Sequence, residues 1–312
     1  MDAPPDMFRF GSRSLLDPQP QSSISSEHQR LEACEAGTED WKRWGPYVSE
    51  RQWGTCREDY GTDGNSWEYV TFQRSHQIAY RWGEDGIAGL CDTEQRLCLS
   101  LAMWNGRDSI LKERLFGLAG PQGNHGEDVK DLYYYLDAMP THSYLKMLYK
   151  YPQTEFPYDE VRSRNALLGS ADQEFELMDT GIFDEDRYFD VYVEYARAGV
   201  DDILLCVTAH NRGPEAAELH LLPQAVFRNT WSWGGGASEA QPPGLELVGE
   251  GHVLARHPTL GEFHIFVEGA AEALFCENET NVEAVGGEDG GLVPFRTPVP
   301  VPPEPEAAEA GE

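Results

Sequence analysis

Tyr188-Phe189-Asp190-Val191-Tyr192-Val193-Glu194-Tyr195 is the stretch that decides the fold. Aromatic and β-branched residues dominate it, and Phe189, Val191 and Val193 recur at every second position. Successive side chains of a strand point to opposite faces, so this period places one row of apolar side chains in a core. We therefore predict a half-buried β-strand over Tyr188–Ala198.

Similar short segments extend from residue 96 to residue 267. They are enriched in β-branched and aromatic residues, and Gly, Pro, Asn or Asp stands at the breaks between them. The segments are Arg96–Trp104, Leu132–Met139, Ser143–Tyr151, Asp202–Asn211, Glu218–Trp231, Leu245–Ala255 and Glu262–Val267. Such spacing predicts a mostly β protein built as an antiparallel β-sandwich or super-sandwich. One short helix is predicted within Ser26–Trp44, before Gly45-Pro46, and a second over Asp159–Leu168.

The two ends of the chain differ in composition from the middle. Residues 1–26 are rich in Pro, Ser and Asp, and residues 283–312 are rich in Gly, Pro and acidic residues. Both predict disorder, which leaves one β-sandwich domain over residues 27–282. The opening residues carry no secretory signal pattern, and no apolar stretch is long enough to span a bilayer, so we expect a cytoplasmic location and no membrane partner.

The charge and the cysteines exclude several classes of protein. The formal net charge is -30, with 54 acidic and 24 basic residues, and this field repels nucleic acid and anionic lipid. The six cysteines show no C-x-x-C pair, which predicts reduced, mostly buried thiols. We expect no metal site and no cofactor.

Five runs of residues carry a resemblance to a known family. They are Glu50-Arg-Gln-Trp-Gly-Thr-Cys-Arg-Glu-Asp-Tyr60, Tyr80-Arg-Trp-Gly-Glu-Asp-Gly-Ile-Ala-Gly89, Trp104-Asn-Gly-Arg-Asp108, Lys112-Glu-Arg-Leu-Phe-Gly-Leu118 with Gly123-Asn-His-Gly-Glu-Asp-Val-Lys130, and Arg228-Asn-Thr-Trp-Ser-Trp-Gly234. In this order they resemble the amino-terminal domain of family-63-like glycoside hydrolases, the relatives of the mannosyl-oligosaccharide glucosidases. The resemblance spans roughly residues 40 to 283.

The resemblance implies a β-sandwich followed by an (α/α)6 barrel that hydrolyses an α-glucosidic bond with inversion. Inverting hydrolysis needs an acid and a base carboxyl group ~6.5 to 9.5 Å apart, and in the family these come from the barrel. We therefore expect this chain to represent the sandwich without the catalytic barrel, and we assign no catalytic residue. The implied partners are an α-glucoside or oligosaccharide and a helical catalytic domain or chain.

The chemistry of sugar binding also indicates candidate contact residues, independently of the family resemblance. Aromatic faces stack on the C–H surface of a pyranose, while carboxylates, amides and guanidinium groups bond its hydroxyls. The candidates for substrate or interdomain contact are Trp82, Glu84, Asp85, Trp104, Asn105, Arg107, Asp108, Asn124, His125, Glu127, Asp128, Arg228, Asn229, Trp231 and Trp233.

Each group of candidates also has a structural interpretation. Glu84 and Asp85 lie between glycines and fit an exposed turn. Trp231 and Trp233 fit the sandwich core, because large aromatic residues dominate core burial. The run around His125 lacks the H-E-x-x-H spacing of a zinc site and fits a solvated or interdomain loop better than a metal site.

Two other functions stay open at this point. Eight tryptophans on a β scaffold also suit a non-catalytic carbohydrate-binding or interaction module that is inactive as a lone chain. The third alternative is a structural remnant, unstable alone because one sheet face lacks its cover.

Overall fold

A computed structural model of the protein describes residues 24–46, 72–80, 86–118, 129–169, 171–231, 242–269 and 271–281. Within these ranges the chain is mostly β and forms three antiparallel sheets. The predicted fold class is therefore confirmed. The predictions for residues 1–23 and for residues 282–312 lie outside the described residues.

The strands are β1 Trp44–Pro46, β2 Leu90–Asp92, β3 Leu97–Trp104, β4 Leu132–Ala138, β5 Tyr144–Pro152, β6 Tyr188–Arg197, β7 Ile203–Asn211, β8 His220–Phe227, β9 Gly244–Gly249, β10 His252–His257 and β11 Gly261–Phe266. The helices are α1 Ser26–Glu35, α2 Phe72–Ser75 and α3 Tyr158–Asn165, with a 3₁₀-helix at Leu177–Thr180. The first sheet has the order β1-β2-β3-β8, the second β4-β5-β6-β7 and the third β11-β10-β9.

The main core lies between the first and second sheets. Alternation along β5 turns Met147, Tyr149 and Tyr151 inward, where they meet Leu101 and Met103 of β3. A slip of one residue would expose this whole row, so the hydrophobic pattern fixes the strand register.

The third sheet packs at one end of this sandwich. Its apolar face contributes Ala255 and Phe263, which pack against Trp44, Leu97 and Phe227 of the first sheet. The rings of Trp44 and Phe263 meet edge to face, with 5.5 Å between their centroids. The opposite face of the third sheet carries His252, Arg256, Glu262 and His264, which are partly or fully exposed, and one buried apolar residue, Leu254.

The amino-terminal helix is tied to the second sheet by buried polar contacts. The Glu27 carboxylate accepts the Thr141 N–H at 2.8 Å and the Ser143 hydroxyl at 2.9 Å. Arg197 is 5% exposed, and its guanidinium donates to the Trp41 carbonyl at 2.6 Å. Because these partners lie on separate segments, the contacts hold the start of the described chain against the sandwich.

Three predicted elements differ in extent from the structure. The first helix ends at Glu35 and not near Trp44, because Gly37 takes a left-handed φ of +67° that ends a helix. The single strand predicted over Leu245–Ala255 is a hairpin, β9 and β10, that turns at Gly251 with φ +61°. The strand predicted over Glu218–Trp231 is also shorter, since β8 ends at Phe227.

A close approach at Gly86 gives a test of the packing. A Cβ at Gly86 would lie 2.4 Å from the Cβ of Ser100, which is buried in β3. We expect Gly86→Ala to lower the free energy of unfolding, measured by urea denaturation, by about 1–3 kcal/mol, because the strand must shift to admit the methyl group.

Gly244→Ala is the matched control, since a Cβ there meets nothing within 4 Å, and we expect a change within about 0.5 kcal/mol. In a Ser100→Gly background, Gly86→Ala should cause little further loss of unfolding free energy, because the Ser100 side chain that it would contact is absent. Equal losses in the two alanine variants would contradict the packing described here.

Candidate functional site

The described sequence candidates form two groups at opposite ends of the first sheet. Trp104, Asn105, Arg107 and Asp108 are the Trp104 group, and Arg228, Asn229 and Trp231 are the Arg228 group. In the β3–β8 pair, Trp104 lies opposite His220 and Leu97 lies opposite Phe227. At about 3.3 Å per residue the two ends are about 23 Å apart. The structure therefore does not bring the two groups into one site.

Asn105 acts on the main chain of its own turn. It is 4% exposed, and its side-chain oxygen accepts the N–H groups of Arg107 at 2.9 Å and Asp108 at 2.7 Å. Its amide nitrogen donates to the carbonyls of Pro152 at 2.7 Å and Thr154 at 2.8 Å. Asn105 thus joins the end of β3 to the end of β5 and has no reach to a ligand.

Asp108 is buried in the core beneath this turn. Its Oδ2 accepts the hydroxyl groups of Tyr151 at 2.8 Å and Tyr158 at 3.2 Å. Burial raises the pKa of Asp108, and the nearby Lys112 ammonium opposes that shift. Arg107 is exposed, and Trp104 donates its indole N–H to the Asp108 carbonyl at 3.0 Å.

A second carboxylate, Asp131, lies in the same interior. The Lys112 ammonium is 3.3 Å from Asp131 Oδ1, and the two side chains are 1% and 0% exposed. The same ammonium lies 3.8 Å from the centroid of the Phe156 ring, and Asp131 also accepts the Tyr149 hydroxyl. We call Asp108, Lys112 and Asp131 the buried charge cluster.

The buried charge cluster holds the fold and does not suit hydrolysis. An acid–base pair must reach a substrate from two sides, whereas these carboxylates are enclosed and bonded to tyrosines and lysine. Sequence reasoning missed Lys112 and Asp131. For Asp131 the sequence offered one signal, a charged residue directly before the apolar strand β4.

A small cavity lies beside this cluster. It is lined by Phe72, Ser75, His76, Ile110, Leu111, Lys112, Glu113, Arg114, Leu115, Phe116 and Tyr158, and its volume is about 20 Å³. That volume holds one water molecule and no sugar ring. Burial, helped by the charge of Arg114, lowers the pKa of His76, so the cavity favours a neutral imidazole.

The Arg228 group is organised by a segment near the end of the described chain. Asn229 is 0% exposed, its N–H donates to the Tyr80 carbonyl at 3.0 Å, and its amide donates to the Asn278 carbonyl at 2.5 Å. The Asn278 amide in turn donates to the carbonyls of Tyr80 and Phe227, both at 2.8 Å. Residues 278–281, which we call the clasp, therefore join the segment that ends at Tyr80 to the end of β8.

Trp231 and Glu279 lie side by side at the surface of the clasp. Trp231 is 38% exposed, and its indole N–H donates to the exposed Glu279 carboxylate. Glu279 also accepts from the Asn229 amide at 3.2 Å. The interpretation of Trp231 as a core residue was therefore wrong, and Glu279 was missed. A half-exposed aromatic face beside a carboxylate is the combination that suits a sugar.

The remaining candidates lie outside the described residues and stay predictions: Trp82, Glu84, Asp85, Asn124, His125, Glu127, Asp128 and Trp233. In the described ranges no group of three or more His, Cys, Asp or Glu side chains is placed to hold a metal ion. Among the described cysteines, Cys91 and Cys98 are buried and Cys34 is partly buried, but Cys206 and Cys276 are exposed; the prediction of mostly buried thiols is wrong for those two. No described helix is long and apolar enough to cross a membrane.

The chain is similar to the uncharacterized protein YMR196W of Saccharomyces cerevisiae. The two are 46% identical over 226 residues, which is 69% of this chain and 21% of the yeast protein. Identity at this level over that length indicates common descent, and the chain spans about a fifth of the length of this curated relative. No protein-family model matches the chain. No solved structure matches it.

The raised pKa of Asp108 predicts a pH dependence of stability. A carboxyl group whose pKa is raised on folding above its ordinary 3.8 contributes stability below that value and loses the contribution as the pH rises through the folded-state pKa. The variant Asp108→Asn has no titrating group at this position, so its stability shows no such loss. The amide oxygen of the new side chain still accepts from both tyrosines. The unfolding free energy of the wild type minus that of the variant should therefore fall as the pH rises above about 4 and then level off. Urea unfolding at several pH values measures this difference, and a constant difference would contradict the buried position of the carboxyl group.

Proposed function

We propose that this chain is the amino-terminal β-sandwich of a family-63-like glycoside hydrolase. In this proposal it supports and rims the site at which an α-glucosidic bond of an oligosaccharide is hydrolysed with inversion. The antiparallel sandwich and the five runs of residues support the proposal. The runs Trp104–Asp108 and Arg228–Gly234 both begin at or beyond strand ends of the first sheet.

The observation that carries the proposal is the Trp231–Glu279 pair. Trp231 offers a partly exposed ring face, and Glu279 offers an exposed carboxylate that can accept hydroxyl protons. The clasp holds both, because Asn229 and Asn278 bond the main chain on either side. A rigid stacking surface with an adjacent acceptor binds a pyranose with little loss of conformational entropy.

The catalytic carboxylates are proposed to come from a helical domain or chain. Asp108 and Asp131 are buried within the sandwich and bonded to tyrosines and lysine, so they are poor candidates for an acid and a base. The yeast relative is nearly five times longer than the region it shares with this chain, and that length accommodates a second domain in that protein. This sandwich is then expected to release no glucose alone.

The alternative is a non-catalytic carbohydrate-binding module. The same exposed pair favours it, because stacking and hydroxyl acceptance suffice for binding. The two functions differ in one measurable respect: the supporting domain of a hydrolase changes the turnover of its catalytic partner, whereas a binding module holds sugar with no effect on hydrolysis.

Sugar binding by the chain tests the role of Trp231. We expect maltose-type or nigerose-type sugars to bind at millimolar concentrations, seen by tryptophan fluorescence and by saturation-transfer NMR. Trp231→Ala should weaken binding about tenfold, because aromatic stacking contributes about 0.5–1.5 kcal/mol beyond its buried area. Glu279→Gln should weaken it less.

Tyr134→Ala is the control, since it removes an aromatic ring of similar exposure, 46%, from another sheet, and binding should be unchanged. Silence of the folded wild type across millimolar sugar would count against the proposal. Glucose release by the lone chain, with the product anomer followed by NMR, would overturn the division of roles between sandwich and helical domain.

A further inference from the structure

Two histidines meet on the solvent face of the third sheet. His252 begins β10 and His264 lies on β11, where the register pairs His252 with Phe266 and Leu254 with His264. The two imidazoles are therefore diagonal neighbours on one face, and His252 Nε2 lies 2.9 Å from His264 Nδ1. This contact lies outside the sugar site and has no part in the function proposed above.

The hairpin fixes the separation of the two rings. Its other face is buried, since Ala255 and Phe263 pack against Trp44, Leu97 and Phe227 of the first sheet. On the solvent face the ring of Phe266 stacks on His252, with 4.3 Å between centroids and 23° between planes. Strand register and stacking together keep the two imidazoles side by side.

The nitrogen separation matches two ligands of one metal ion. Imidazole nitrogens bind late first-row metals at about 2.0–2.1 Å, and two such bonds at a right angle span about 2.9 Å. Right angles between neighbouring ligands are typical of the tetragonal geometry of Cu²⁺ and Ni²⁺, and Cu²⁺ binds most tightly in the divalent series. We propose that His252 and His264 form a surface site for Cu²⁺, with water completing the coordination.

Binding requires a small rearrangement and no redox step. In the free protein one ring donates its N–H to the other ring. That hydrogen moves to the outer nitrogen of the same neutral ring, and each ring turns until its lone pair faces the ion. Both imidazoles remain neutral, as metal ligands must be. The Cu²⁺ ion exchanges two water ligands for two imidazole nitrogens.

The surrounding charges favour a cation. The chain carries a formal net charge of -30, which raises the local concentration of cations. Arg256, on the same face of β10, is held by Glu246 at 2.5 Å and Glu262 at 3.0 Å, so its positive charge is offset. The site supplies two protein ligands.

Cu²⁺ titration of the 312-residue chain tests the site, with electron paramagnetic resonance to count the bound nitrogens. We expect one site whose spectrum shows two imidazole nitrogens. His252→Asn and His264→Asn should each weaken that site about a hundredfold, because the second imidazole binds within an existing complex. Thermal unfolding in a chelator should show that both variants remain folded.

The double variant His210→Asn/His220→Asn is the control. It removes two exposed histidines of the second and first sheets, and the two-nitrogen signal should persist in it. A wild-type affinity no higher than that of His252→Asn, or a spectrum with a single nitrogen, would overturn the proposal. A control variant that loses the signal would also overturn it, because the ion would then bind elsewhere.

Discussion

The contact between the Lys112 ammonium and the Asp131 carboxylate is the interaction on which the sandwich most depends. The main chain of Lys112 exchanges hydrogen bonds with Met103 of β3, at 2.8 and 3.0 Å, while its side chain reaches the carboxylate just before β4. One residue thereby links the first sheet to the second across their shared core. Loss of one partner from such a buried pair costs about 3–5 kcal/mol, because the other charge is left without compensation.

The candidate residues at the two ends of the first sheet have different surroundings. At the Trp104 end, Asn105 bonds the main chain and Asp108 Oδ2 accepts from two tyrosines, so these side chains are part of the core. At the Arg228 end the polar atoms of Asn229 and Asn278 organise the main chain, and Trp231 and Glu279 remain at the surface. The proposed sugar contacts therefore lie at the Arg228 end, away from the buried charge cluster.

Local periodicity predicted most of the strands but not the surroundings of the candidate side chains. The strand predicted at Tyr188–Ala198 ends within one residue of β6, because a period of two is a local property of the sequence. The β9–β10 turn was missed, since the apolar run from Leu245 to Ala255 reads as continuous. The local sequence makes Asn105 and Trp231 equally good candidates for sugar contact. Only tertiary contacts show that Asn105 bonds the main chain while Trp231 is partly exposed. The partner of Trp231 lies 48 residues away, beyond any local pattern.

The clasp has a consequence for synthesis of the protein. Asn278 accepts the Tyr80 N–H from a position 198 residues later in the chain, so this contact cannot form until nearly the whole sandwich has left the ribosome. Domains tend to fold as the chain emerges, and contacts between distant residues form late. Nascent chains that stop before Asn278 would thus leave the Tyr80 segment and the end of β8 unconnected. A chaperone or protease would then have access to the edge around Trp231.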